Sequence, residues 1–115
     1  MIKRNRDMEK ELRQQMRGGK GEVEILHIFR KEEMKGKMRL HARLRLPPGS
    51  SIGYHTHDGE EEVFYILSGS GQVSDNGVVS AVGPGDALLT GGGGGHSIEN
   101  VGGEPLELVA TIFIC

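Results

Sequence analysis

Residues 49–69 read GSSIGYHTHDGEEEVFYILSG. The second part, from Val63 to Leu67, is a nearly continuous apolar run, which marks a strand packed into a core. The first part carries His55 and His57, two positions apart. Side chains alternate along an extended chain, so both imidazoles project to the same face. Asp58-Gly59 makes a tight turn, across which a carboxylate from the Glu60, Glu61, Glu62 run can enter the same space from the next strand. Two imidazoles and one carboxylate suit a borderline transition metal with coordination positions left over. Downstream, His96 follows the glycine run of residues 91–95 and can bring a third imidazole.

The chain on either side has the texture of strands. Residues 22–29 form one candidate. Residues 39–46 alternate strictly, with Arg39, His41, Arg43 and Arg45 on one face and Leu40, Ala42, Leu44 and Leu46 on the other. That period of two belongs to a half-buried antiparallel strand. Asn76-Gly77 is a strong two-residue hairpin signal between residues 71–74 and 78–82. Further short strands are expected at 87–90, 96–101 and 106–114, with Gly and Pro turns between them. Strands so regularly spaced, with no helix between them, predict an all-β sandwich or barrel. Before them, Asp7 can cap a helix over residues 7–17, with Met8, Leu12 and Met16 on one stripe and Gly18-Gly19 ending it. The expected organisation is a helical arm over residues 1–20 and one β-barrel domain over residues 21–115.

Size and composition narrow the classes further. At 115 residues, 36% of them hydrophobic and 19 of them glycine, the chain fits a small barrel but not a TIM barrel or a two-half dinucleotide fold. Its longest apolar run, residues 108–115, is too short to span a bilayer. The charged start MIKRNRDMEKE has no apolar core of a secretory signal, and the lone Cys115 forms no internal disulfide, so a cytoplasmic protein is expected. All 14 Lys and Arg lie at or before Arg45, among seven acids, whereas nine acids and no Lys or Arg follow. The basic residues are interleaved with Glu and the net charge is −2, which argues against nucleic acid as a partner. The basic face of residues 39–45 needs acids opposite it, from Glu22 and Glu24 or from a second chain, and a homodimer is expected. The glycines of residues 91–95 are expected to form a mobile rim beside the site rather than a phosphate loop, since no Lys-Ser/Thr and no helix follows.

The spacing of these residues resembles the cupin family. Gly49, His55, His57, Glu62 and Gly69 satisfy every position of the first cupin motif, and only Glu62 has the required six-residue gap to Gly69. Gly85, Gly93, His96 and Asn100 fit the second motif, in which Gly91 stands where a proline belongs. The resemblance implies a double-stranded β-helix, or jelly roll, with a metal held inside by His55, His57, Glu62 and His96. Manganese or iron is the first choice by resemblance, and nickel, cobalt or zinc can occupy the same donor set. Glu60 and Glu61 read as solvated turn residues, and His27 and His41 as ordinary strand residues.

Small cupins of this look resemble proteins described as oxalate-decarboxylase-like. In oxalate decarboxylases an Arg stands three positions before the first His, where this chain has Ile52. Arg39, Arg43 or Arg45 could replace it only by pointing into the cavity. Two functions are therefore carried forward, with catalysis left open. One is a metalloenzyme acting on a small carboxylate or similar oxygen-rich ligand, with dioxygenase or isomerase as its weaker forms. The other is a non-catalytic metal or small-ligand binding or sensor module. Tyr54, Tyr65 and His41 are the candidates for an acid or base beyond the ligands.

Overall fold

A computed structural model describes all 115 residues. Ten strands follow one another: β1 (Glu9–Gln14), β2 (Glu22–His27), β3 (Met38–Leu46), β4 (Ser51–Thr56), β5 (Glu60–Ser68), β6 (Gly71–Asp75), β7 (Val78–Val82), β8 (Ala87–Gly91), β9 (Gly95–Asn100) and β10 (Leu106–Ile114). They form a six-stranded sheet in the order β1-β2-β3-β10-β5-β8 and a four-stranded sheet in the order β4-β9-β6-β7. Every pairing is antiparallel. The alternation read in β3 is realised: Ala42, Leu44 and Leu46 are buried while Arg43 and Arg45 face out. They join Val23, Ile25, Ile52, Phe64, Ile66, Ile98, Leu106 and Leu108 in one core between the sheets. Asn76 and Gly77 take φ of 50° and 86° in the β6–β7 turn, the left-handed pair that a two-residue hairpin requires.

The helix expected over residues 7–17 is absent. Its place is taken by β1, flanked by single 3₁₀ turns at Asn5–Asp7 and Met16–Gly18. A helix of that length is marginal alone, whereas β2 without a partner would leave a row of unpaired backbone groups on the sheet edge. Pairing with β1 in register from Glu9↔His27 to Gln14↔Glu22 satisfies that edge. Cross-strand contacts favour the same outcome: Gln14 Nε2 donates to Glu22 at 2.7 Å, and Lys10 lies 3.5 Å from Glu24. The first 20 residues thus contribute a strand to the larger sheet.

The basic face of β3 finds its acids within the chain. Arg43 binds Glu107 of β10 at 2.9 Å, Arg45 lies 3.9 Å from the same carboxylate, and Arg39 makes a two-bond contact with Glu60. The charge argument for a second chain is therefore removed.

Candidate metal centre

Three strands bring four side chains together inside the barrel. His55 lies on β4 directly opposite His96 on β9, His57 follows β4, and Glu62 lies on β5. His57 and His96 are each 1% exposed and Glu62 is 4% exposed. One donor atom from each residue fits within 4.8 Å of all the others. Glu62 Oε1 stands 2.9 Å from Nε2 of both His57 and His96 and 3.9 Å from Nε2 of His55. The Nε2 atoms of His57 and His96 are 3.1 Å apart, and those of His96 and His55 are 3.2 Å apart.

The protein sets which ring nitrogens face inward. His57 Nδ1 lies 2.8 Å from Glu60 Oε1, and His55 Nδ1 lies 2.7 Å from the Gly53 carbonyl. Both partners only accept, so Nδ1 carries the proton and, in the neutral ring, Nε2 presents a lone pair. Lone pairs from imidazoles thus converge on a carboxylate, acceptor facing acceptor, in a buried site. Such a cluster is costly without a cation at its centre. Four of these five separations agree: ligands about 2.0–2.1 Å from an ion at 90–110° to each other stand about 2.9–3.4 Å apart, and the 3.9 Å from Glu62 to His55 fits a wider angle. Burial raises the Glu62 carboxyl, but N–H groups and positive charge from His55, His96 and His57 turned toward it bring it down to about 2, and a cation between neutral rings would supply the same charge. The cluster is compatible with one metal ion.

His57 is held from behind. Its backbone N–H donates to the Gly94 carbonyl at 2.9 Å and its carbonyl accepts from Gly93 at 2.8 Å. Gly95 N–H bonds Asn76 Oδ1 at 2.9 Å, so the expected rim of residues 91–95 is a hydrogen-bonded turn behind His57. None of these glycines lines the cavity. Behind the His57 ring, Arg39 grips Glu60 through Nε and Nη2 at 2.6 and 2.8 Å. The Arg39 contact, assisted by His57 and only partly opposed by burial, holds the Glu60 carboxyl at about 2. The expectation that Glu60 is a solvated turn residue is thus corrected. The signal was in the sequence: residues 60 and 62 share a face at period two. Phe64 stacks on His96 at 4.7 Å with 15° between the planes.

The three residues proposed to lie beyond the ligands are elsewhere. Tyr65 is 47% exposed on the outer face of β5, because Glu62, Phe64 and Ile66 occupy the inner one. Tyr54 is 52% exposed with its hydroxyl against Gly95. His41 bonds Thr111 of β10 through Nδ1 at 3.0 Å and lines no part of the cavity. The cavity in front of the cluster is about 110 Å³ and is bordered by apolar Ile52, Leu44 and Phe64 and by basic Arg13, Arg17 and Arg39. Arg13 and Arg17 lie outside the sequence motifs, in the stretch expected to form a helical arm packed on the barrel.

Two antiparallel sheets closed over an inward cluster of three His and one Glu define a double-stranded β-helix protein with a candidate metal centre. The cupin domain model matches residues 42–113, and the chain belongs to that family. It is 48% identical to the oxalate-binding protein of Thermotoga maritima over 114 residues, 99% of this chain and 94% of the relative. An uncharacterized protein of Methanocaldococcus jannaschii is 33% identical over 79 residues, 69% of this chain and 63% of that one. Among solved structures, a T. maritima protein described as a predicted oxalate decarboxylase superposes with a TM-score of 0.95 at 48% identity, covering 100% of both chains. The polyketide cyclase RemF of Streptomyces resistomycificus shares the fold, with a TM-score of 0.79 at 23% identity over 100% of this chain and 80% of that one.

Proposed function

We propose that this cupin holds one divalent transition metal through His55, His57, Glu62 and His96 and binds a small carboxylate at the positions left open. The observation that carries the reading is the buried convergence of three imidazoles on the Glu62 carboxylate at the floor of a cavity. Manganese or iron is the first choice of ion by resemblance to the family, and the same donors accept nickel, cobalt or zinc. A bound ion supplies positive charge and Lewis acidity to a carboxylate oxygen. Gly53 and Glu60 fix the tautomers of His55 and His57, which keeps their lone pairs inward. Ile52, Leu44 and Phe64 exclude water from one side of the ligand. At about 110 Å³ the cavity is well below the roughly 300–1,000 Å³ that drug-sized ligands occupy, so the ligand has few atoms. The name of the T. maritima relative, an oxalate-binding protein, supports the same chemical class.

Binding is favoured over turnover. The acids nearest the cavity are engaged, Glu60 by Arg39 and His57 and Glu11 by Arg13 and His27, and His27, the base that lines the cavity beyond the cluster, is held by Glu11. Calorimetry with oxalate on metal-loaded and metal-free protein tests this reading. Saturable binding that requires the metal, with oxalate recovered unchanged, is expected. Equal binding without metal, or loss of oxalate with release of carbon dioxide, would overturn it.

A further inference from the structure

We infer that Arg17 is the specificity-determining residue of the cavity, anchoring the distal carboxylate of a small dicarboxylate whose other end lies at the His55–His57–Glu62–His96 cluster. The inference rests on the proposed carboxylate-binding function and goes beyond it by naming how one carboxylate is told from two. Three arginines border the cavity. Arg39 is committed to Glu60 and Arg13 to Glu11, whose other oxygen holds His27. Arg17 alone among the three forms no ion pair, so its guanidinium is available to an incoming anion. Of the other polar groups lining the cavity beyond the cluster's imidazoles, the Glu62 carboxylate repels a second carboxylate and His27 is engaged by Glu11 at 3.1 Å.

The backbone shows that this placement is built. Arg17 has φ 55° and ψ 31°, and Gln15 has φ 49° and ψ 48°. Left-handed conformations are uncommon outside glycine and persist where the surroundings enforce them. The enforcement comes from β4, the strand that carries His55. A Cβ on Gly53 would stand 2.1 Å from the Arg17 carbonyl oxygen, and one on Gly19 would stand 2.2 Å from that of Ser51. Only glycine at both positions lets the turn lie directly on the strand. Ser51 N–H donates to the Lys20 carbonyl and Lys20 N–H to Ser51 Oγ, each at 2.9 Å, while Met16 packs onto the core. The turn therefore moves with β4, and Arg17 keeps a fixed relation to the cluster. The turn fixes the Arg17 backbone, and its guanidinium, free of any ion pair, presents paired donors to a carboxylate.

The test compares oxalate and malonate with acetate, each titrated calorimetrically into metal-loaded protein at fixed ionic strength. Arg17→Gln should weaken oxalate or malonate at least tenfold and leave acetate within about twofold, since a monocarboxylate has no distal group to anchor. Arg13→Gln should have a smaller effect, because Glu11 already neutralises that side chain. If Arg17→Gln fails to fold, Arg17→Gly removes the same charge with a residue suited to the left-handed turn. Equal losses for acetate and oxalate, or no loss for either, would overturn the role of Arg17 while leaving carboxylate binding in place. Wild-type metal-loaded protein that binds none of the three would overturn the underlying function instead.

Discussion

Replacing Glu60 by Ala removes a side chain that is not in the cluster and yet should weaken metal binding. Glu60 accepts the Nδ1 proton of His57 at 2.8 Å, and that ring is 1% exposed. Without it, the imidazole either buries an unsatisfied N–H, at about 1–3 kcal/mol, or turns away from the cluster. Loss of such outer partners typically lowers metal affinity about 10–100-fold, which is about 1.4–2.7 kcal/mol. Arg39 would also lose its partner, but that side chain is 34% exposed and regains water, so little of the cost falls there. Glu60→Gln keeps an acceptor oxygen and loses only charge, so it should fall between wild type and Glu60→Ala. Competition with a chelator of known affinity, monitored by absorbance, gives the three constants. A folded Glu60→Ala protein with metal affinity within twofold of wild type would refute the claim that Glu60 orients His57.

Two other perturbations probe the frame around the site. Gly53→Ala sets a Cβ against backbone atoms of the Arg17 turn, which cannot move aside as a side chain can. It should cost about 2–3 kcal/mol in urea denaturation, and an unchanged midpoint would show that the turn is not seated on β4 as described. For assembly, we propose a homodimer formed through exposed edges and apolar residues such as Leu12, Val78, Val79 and Leu89. Because Arg39, Arg43 and Arg45 meet acids of their own chain, its sedimentation should be insensitive to salt. A monomer at micromolar concentration, or a dimer that salt dissociates, would contradict this.

Much of the site was legible because motif spacing and strand periodicity are local properties. The period of two placed His55 and His57 on one face, and the gap from Glu62 to Gly69 selected one of three adjacent glutamates. The same period fixed the inward residues of β3, and Asn76-Gly77 fixed a hairpin. The first strand was not legible, since Met8, Leu12 and Met16 fit a helical stripe, and what decides against it is the edge of β2, a non-local partner. The roles of Arg17 and Arg39 were hidden for related reasons. One depends on a left-handed turn at two non-glycine residues, and the other lies where the β3–β10 register shifts near Ile112 and Phe113. Tyr54 and Tyr65 were candidates by proximity in sequence alone, and strand alternation turns Tyr65 outward. No helix of the protein is long and apolar enough to cross a membrane.

The central claim is that four side chains hold one ion, and metal content measured by plasma mass spectrometry tests it most directly. Protein stripped with chelator, reloaded with manganese or iron(II) and desalted should carry one ion per chain. His57→Ala and Glu62→Gln, prepared in the same way, should retain little of it while their circular dichroism still reports a folded β protein, because the thirteen-residue apolar core between the sheets packs without the ion. Stoichiometric metal kept by His57→Ala in the presence of chelator would contradict the account.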